Sequence, residues 1–371
     1  MNFNIKKKEL LDSLNTASRA ISSTTPLPSL TGIYFSANKD TLTLISSDSN
    51  ISIKVTINNN ESKIIDIKEE GDIVIEAKYI LEIIRKIEAE DINFEIVDGT
   101  LIKISGANSE FKINCMKASD YPNINFDSNG KSFNIKSDLF KQIIDQTSFA
   151  CSDKDTRPIL TGINFKAENN VLKVNATDSY RLASKTVSLD DADNFNITIP
   201  NKYLTDIYHS IADKNEIKIT IDNQKILFSF DNILIQTRLL DDDYPDTSKL
   251  LPSSFTQTLK INGKELSKAI DRASFIKSDG KNIVKLSIDD EKIDITANNQ
   301  TSSSFETIKV ISFEGNPFEI SCSGKYLQDA IKAFENDEIT FSFSGDLKPM
   351  IITAPGDPTI IQLISPVRTY K

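Results

Sequence analysis

A chain of 371 residues is long enough for two or three domains of ~150 residues each, and its 39% hydrophobic content supports several buried cores. Its 43 basic and 53 acidic side chains leave a formal net charge of −10, which excludes a uniformly basic nucleic-acid coat but not a local basic surface. The opening MNFNIKKKELLDSLN has no apolar run after its lysines, and nowhere do ~18 apolar residues follow one another, so neither an export signal nor a membrane span is expected. Cys115, Cys151 and Cys322 are odd in number, far apart and without a C-x-x-C spacing, so neither a disulfide framework nor a zinc site is supported. Three inert thiols in a reducing cytoplasm are expected.

In chain order, Phe3-Asn4-Ile5-Lys6 reads as a short strand running into a helix, where Leu10, Leu11, Leu14, Ala17 and Ile21 fall at helical spacing. Lys78-Tyr79-Ile80-Leu81 opens a second helix marked by Ile83, Ile84 and Ile87. The alternating strand Asp91-Ile92-Asn93-Phe94 follows it. These marks then return. Phe133-Asn134-Ile135-Lys136, Lys202-Tyr203-Leu204 and Glu216-Ile217-Lys218-Ile219 form the second set. Leu259-Lys260-Ile261-Asn262, the helical Leu266, Ala269, Ile270 and Ala273, Lys325-Tyr326-Leu327 and Glu338-Ile339-Thr340-Phe341 form the third. The Lys-Tyr mark recurs after 124 and then 123 residues, a period that makes the chain an internal repeat. Each third therefore reads as one helix-plus-strands half-unit used twice, an α+β fold with domains at 1–128, 129–252 and 253–371. Asp120-Tyr121-Pro122-Asn123 and Asp243-Tyr244-Pro245-Asp246 precede the boundaries, and without a long linker the thirds are expected to pack edge to edge.

The six predicted helical windows (6–21, 77–89, 136–149, 201–214, 263–277 and 324–335) hold 17 basic and 12 acidic side chains, so they carry +5 while the remainder carries −15. Helices gathered on one side of the sheets would make that side relatively positive, suited to phosphates rather than to base edges. Enzymatic chemistry finds little support. His209 is the only histidine, which excludes a two-histidine metal site, and its expected place is an exposed or helix-face position in the window 201–214. Asp241-Asp242-Asp243 reads as a solvated turn rather than a Mg²⁺ cluster, since neighbours on a strand point to opposite faces. Gly324-Lys325 lacks the upstream glycine of a phosphate-binding loop.

The triple repeat, the stretch Asn175-Ala176-Thr177-Asp178-Ser179-Tyr180-Arg181-Leu182-Ala183 and the ending Leu363-Ile364-Ser365-Pro366-Val367-Arg368-Thr369-Tyr370 together resemble the bacterial DNA polymerase III beta subunits, the sliding clamps. The likeness spans the whole chain. It implies a head-to-tail dimer closing a ring around duplex DNA, helices inside and sheets outside, held by confinement with weak phosphate contact. Inward-facing positions would be Lys8, Arg19, Arg85, Lys86, Lys141, Lys202, Lys268, Arg272 and Lys332. The resemblance also implies a groove between the second and third domains for short peptides with apolar anchors, carried by the replicative polymerase, the clamp loader and repair proteins. Its positions here would be Arg157, Ile159, Leu160, Thr177, Ser179, Tyr180, Arg181, Leu182, Pro245, Leu250, Tyr326, Leu363, Ser365, Pro366, Val367 and Arg368. Ser179-Tyr180 stands where many relatives have Gly-His, and Ser365 where a larger apolar residue is common, so peptide preference is expected to differ. Subunit joining would use Phe111 and Ile113 on one side and Phe275 and Ile276 on the other. The resemblance implies no catalysis, cofactor or metal. Two other readings remain at this point: a cytosolic hydrolase using Asp241 to Asp243 with a metal, and a repeat scaffold that does not bind DNA.

Overall fold

A computed structural model describes residues 1–22, 24–59, 63–211, 216–277 and 280–368. The first third runs β1 (Asn2–Lys6), α1 (Lys7–Ala17), β2 (Gly32–Asn38), β3 (Thr41–Ser47), β4 (Ile51–Asn58), β5 (Ile65–Glu69), β6 (Gly71–Glu76), α2 (Ala77–Lys86), β7 (Asp91–Asp98), β8 (Leu101–Gly106) and β9 (Ser109–Asn114). The second runs β10 (Lys131–Lys136), α3 (Ser137–Thr147), β11 (Gly162–Glu168), β12 (Val171–Thr177), β13 (Arg181–Ser188), β14 (Phe195–Pro200), α4 (Asn201–Tyr208), β15 (Glu216–Ile221), β16 (Lys225–Phe230) and β17 (Ile233–Arg238). The third runs β18 (Gln257–Asn262), α5 (Gly263–Ala273), β19 (Ile283–Ile288), β20 (Lys292–Asn298), β21 (Ser303–Lys309), β22 (Ser312–Glu314), β23 (Phe318–Ser323), α6 (Gly324–Lys332), β24 (Glu338–Phe343), β25 (Met350–Ala354) and β26 (Asp357–Ile364). Each third thus repeats strand, helix and three strands twice, with β5 and β22 added.

Within each third the halves exchange their first strands. β1 pairs with β7 and β6 with β2; β10 pairs with β15 and β14 with β11; β18 pairs with β24 and β23 with β19. Neither half can bury its own apolar face without the other, which is why the half-unit occurs doubled. Strands also join across the thirds, edge to edge, as the short connections require. β17 pairs antiparallel with β4, and β26 with β13. The chain divides into two compact units, Met1–Asp138 with Tyr203–Leu239 and Leu139–Lys202 with Leu240–Lys371. Each unit contains one of these joined sheets.

Helical periodicity decides what faces each core. α5 buries Leu266, Ala269, Ile270 and Ala273, and α6 buries Leu327, Ala330 and Ile331, against Leu286, Ile295, Ile339 and Phe341 of the strands. Each such leucine or isoleucine stabilises the fold by about 1.5–3 kcal/mol. Asn262 and Ser323 start these two helices by accepting the N–H groups of Glu265 and Tyr326. α1 ends at Ala17 and α2 at Lys86, so Ile21 and Ile87 lie just beyond the helices whose spacing they continue. Ile87 has turned extended, and the Lys7 ammonium caps α2 there by donating to the Ile87 and Arg85 carbonyls at 2.6 and 3.2 Å. Gly32 and Gly162 occupy equivalent strand starts where a Cβ would lie 2.6 Å from Val74 and 2.7 Å from Thr198 of the exchanged neighbour.

Candidate functional site

The segment joining β12 to β13 in the second unit is a tight corner that its own side chains hold. Thr177 Oγ1 donates to the Arg181 carbonyl at 2.5 Å and accepts the Ser179 N–H at 3.1 Å. Asp178 Oδ1 accepts the N–H groups of Tyr180 and Arg181 at 2.9 and 3.0 Å, and Ser179 takes a left-handed φ of 78°. From the end of the same third, Tyr244 braces the corner by accepting the Thr177 N–H on its hydroxyl at 2.9 Å; burial raises that phenol above its ordinary value. The result leaves Tyr180 63% exposed at the tip and sends Arg181 inward.

Arg181 is 6% exposed. Its Nε donates to Asp178 at 3.0 Å, another guanidinium nitrogen donates to Asp329 of α6 at 2.7 Å, and its Cζ lies over the Tyr326 ring, 4.2 Å from the centroid. The guanidinium therefore ties the corner to α6 and fixes the Tyr326 ring beside it. Next to it, the register sets Leu182 of β13 opposite Leu363 of β26, and Leu363 opposite Ile351 of β25. These three form an apolar cluster separate from the main cores, with Leu251 and Ile361 packed on it. Leu250, next in sequence to Leu251, is exposed, and Pro245 follows the bracing tyrosine. The chain leaves β26 along this patch, with Ser365 N–H donating to the Tyr180 carbonyl at 2.8 Å and Val367 N–H to Ser321 at 2.7 Å. Pro366 is half-buried and Arg368 exposed; Thr369 and Tyr370 lie outside the described residues.

Of the sixteen groove positions, Thr177, Ser179, Tyr180, Arg181, Leu182, Tyr326, Leu363 and Ser365 are thus joined by direct contacts, while Val367 bonds to Ser321. Arg157, Ile159 and Leu160 sit at the start of β11, two strands from β13 in the same sheet, with Arg157 exposed and both apolar residues buried. Sequence reading missed Ile351, Leu251, Asp329 and Tyr244. Only Tyr244 carried a local signal, as the aromatic before Pro245.

The strand edges show a second pattern. Six three-stranded groups recur along the chain, and among the described residues β4 is taken by β17 and β13 by β26, leaving the outer edges of β9 and β21 without a strand. β9 alternates, with Phe111 and Ile113 half-buried on one face and Glu110, Lys112 and Asn114 exposed on the other. β21 exposes Phe305 to 65%, and Phe275 after α5 is 74% exposed. Ile276, expected to accompany Phe275, is instead 3% exposed in the core, because the chain turns inward after α5. Phe305 escaped notice, although an aromatic after Ser302-Ser303-Ser304 was its visible mark.

Eight of the nine expected inward-facing cations lie on α-helices, and Arg19 lies on the 3₁₀ turn Ser18–Ala20. They are not electrostatically equal. Arg272 is held bidentately by Glu306 at 3.0 and 2.5 Å, which pulls the Glu306 carboxyl below its usual range. Arg85 and Lys86 share Glu82. Lys8, Arg19, Lys268 and Lys332 carry no ion pair among the described residues.

His209 is exposed with its ring edge-on to Tyr208, and Asp241, Asp242 and Asp243 are exposed. Cys151 and Cys322 are buried and Cys115 partly so; desolvation pushes Cys115 and Cys322 up to about 12, and Cys151 upward as well. No group of three potential ligands gathers for a metal among the described residues, and no helix there is long and apolar enough to cross a membrane.

Comparison with known proteins accounts for this arrangement along the whole chain. Family models for the DNA polymerase III beta subunit match in three consecutive pieces, the N-terminal domain at 1–125, the central domain at 134–246 and the C-terminal domain at 248–368. The beta sliding clamp of Bacillus subtilis (strain 168) is 39% identical over 378 residues, and that of Staphylococcus aureus (strain Mu50) 36% over 379, each comparison covering all of both chains. The crystal structure of the Bacillus subtilis DNA polymerase sliding clamp superposes with a TM-score of 0.96 at 38% identity, again over the full length of both chains. With three clamp domains in sequence and in fold, the chain belongs to the DNA polymerase III beta subunit family, the beta sliding clamps of DNA replication.

Proposed function

We propose that two copies of this chain close head to tail into a ring around duplex DNA, non-catalytic and without cofactor, and tether the replicative polymerase and repair proteins through the Leu182–Leu363 groove. The carrying observation is the set of strand edges: among the described residues, the last strand of each three-stranded group is joined to another group within the chain except β9 and β21. Pairing β9 of one copy with β21 of the second supplies the missing joints, and the repetition of one joint type is what a closed heterologous assembly needs. Phe111, Ile113 and Phe305 make those edges apolar, and covering them removes an aggregation hazard.

Confinement replaces tight binding, so unpaired helix cations such as Lys8, Lys268 and Lys332 suffice for weak, sequence-independent contact with phosphates in an otherwise acidic protein. Arg272, neutralised by Glu306, contributes least to that contact. In the groove, the apolar floor of Leu182, Leu363 and Ile351 accepts a leucine or phenylalanine anchor, while Arg157 and Arg368 at the rim are free to meet peptide carboxylates or carbonyls. Opening and loading belong to a separate ATP-driven loader.

The test loads the protein onto nicked plasmid with loader and polymerase. The ring is expected to remain on circular DNA, to slide off after linearisation, and to lengthen products only with all components present. Asp substitutions at Leu182 and Leu363 should abolish the lengthening yet leave the ring assembled. Phe305→Asp should yield monomers by sedimentation. A wild-type monomer at every concentration, or equal retention on linear and circular DNA, would sink the ring; undiminished product length in the Leu182 and Leu363 variants would sink the groove.

A further inference from the structure

The first unit contains a second corner built like the one at Thr177 to Arg181. Ser47 Oγ bonds to the Ile51 carbonyl at 2.9 Å and accepts the Ser49 N–H at 3.0 Å. Asp48 Oδ1 accepts the N–H groups of Asn50 and Ile51 at 2.9 and 2.8 Å, and Ser49 has the same φ of 78° as Ser179. β17 lies beside β4 as β26 lies beside β13, and the Arg238 N–H donates to the Asn50 carbonyl at 3.1 Å as Ser365 does to Tyr180. A cavity of about 490 Å³ opens at this corner.

Its lining differs in chemistry. Leu27, Leu30, Pro122 and Ile124 form one apolar wall, and Lys225 and Arg238 bring two cations. The Lys225 ammonium is satisfied by neutral oxygens alone, the carbonyls of Asn125 and Asp127 and the Gln236 side chain, at 3.2–3.3 Å. Arg238 is exposed, and neither cation is paired with a carboxylate among the described residues. Asp48, the acid within the corner itself, is already occupied by two backbone N–H groups and the Tyr203 hydroxyl.

We infer that this cavity is a second peptide site, taking an extended acidic segment whose carboxylates pair with Lys225 and Arg238 while one apolar side chain rests on the Leu30 and Ile124 wall. The inference rests on the reading that the equivalent corner of the second unit takes peptides. Charge complementarity selects the occupant: two unpaired cations flank a floor in which Ser52 faces Gln236, the positions held by Leu182 and Leu363 in the other corner. A nucleic-acid strand would need a longer run of cations than these two and would make no use of the apolar wall.

The experiment uses fluorescence anisotropy on the full-length protein with two labelled hexapeptides. One has the sequence aspartate-leucine-aspartate-glutamate-leucine-aspartate. The other is an uncharged leucine- and phenylalanine-bearing peptide of the same length. The acidic probe is expected to bind, to weaken with added salt, and to weaken about tenfold or more in Arg238→Glu or Lys225→Gln, with Arg238→Lys retaining binding. Leu363→Asp should leave the acidic probe bound and release the apolar one. Failure of the apolar probe to respond to Leu363→Asp would count against the first groove alone. The second site is overturned if the acidic probe does not bind at millimolar concentration, if it ignores both cation variants, if Leu363→Asp releases it, or if a single-stranded hexanucleotide displaces it more strongly than unlabelled acidic peptide does.

Discussion

The corners at Ser47 to Ile51 and Thr177 to Arg181 share a backbone and differ in what they present. Both close with a hydroxyl at the first position, a carboxylate at the second and a left-handed serine at the third, and both receive a neighbouring strand through the same N–H to carbonyl bond. Their differences fall at register positions facing the cavity: Ser52 with Gln236 against Leu182 with Leu363, and Arg238 against Ser365. The fifth position differs as well, Ile51 packing into its core while Arg181 is spent on Asp178, Asp329 and Tyr326. Backbone geometry is thus a property of the repeat, and binding character a property of a few cross-strand pairs laid over it.

The largest effect should separate the two fifth positions. Arg181→Met leaves Asp178 and Asp329 without their buried counter-charge and Tyr326 without its stacking partner, and should lower stability by about 3–5 kcal/mol in urea unfolding of the full-length protein. Ile51→Val removes one methylene from a packed site and should cost about 0.5–1.5 kcal/mol. An Arg181 variant as mild as the Ile51 variant would mean that the ion triad is dispensable and that the two corners are closer than their side chains suggest.

A graft tests the cross-strand pairs next. Ser52→Leu combined with Gln236→Leu reproduces the Leu182 and Leu363 floor in the first unit. In a chain already carrying Leu363→Asp, it should restore binding of an apolar peptide by about tenfold or more, read by anisotropy. No gain would show that the wider surroundings, such as Ile351 and Tyr326, decide anchor binding rather than the two register positions.

Much of this was legible in the residues because it is local. Helical spacing located α1, α2 and α5, the returning marks located the windows of α3, α4 and α6, the alternating four-residue segments located β7, β15 and β24, and the recurring Lys-Tyr mark exposed the repeat. The Thr177 to Arg181 stretch was visible as a motif because its hydrogen bonds close within five residues. What stayed hidden depends on pairings between distant segments. Ile351 joins the groove through Leu363, Asp329 meets Arg181 across 148 residues, and the exchange of first strands between halves leaves no mark in composition. Ile276 shows the limit from the other direction. An apolar pair after a helix reads as one surface, yet Phe275 points to solvent and Ile276 into the core, which only the turn after α5 decides. The equivalent of the groove in the first unit was invisible for a further reason: its polar Ser52 and Gln236 give no hydrophobic signal in a chain read for apolar anchors.

The smallest expected difference lies in the tyrosines that brace the corners. The Tyr244 hydroxyl accepts the Thr177 N–H at 2.9 Å, so Tyr244→Phe orphans a backbone donor and should cost about 1–2 kcal/mol. Tyr121, before the equivalent proline, donates to the Ile45 carbonyl at 3.3 Å and feels the backbone of Ser47, the residue equivalent to Thr177, without the close bond that Tyr244 makes, so Tyr121→Phe should cost less than about 1 kcal/mol. Burial raises both phenols above the ordinary tyrosine value, which fixes the sign of the pH dependence: their stabilisation is complete below pH ~10 and is lost as pH rises towards the folded-state values, because the unfolded chain ionises first. Alkaline unfolding curves of the two Phe variants should therefore be flatter than that of the parent. A larger stability loss for Tyr121→Phe than for Tyr244→Phe would reverse the assignment of Tyr244 as the stronger brace, and with it the reason the Thr177 corner can keep its shape beneath an exposed Tyr180.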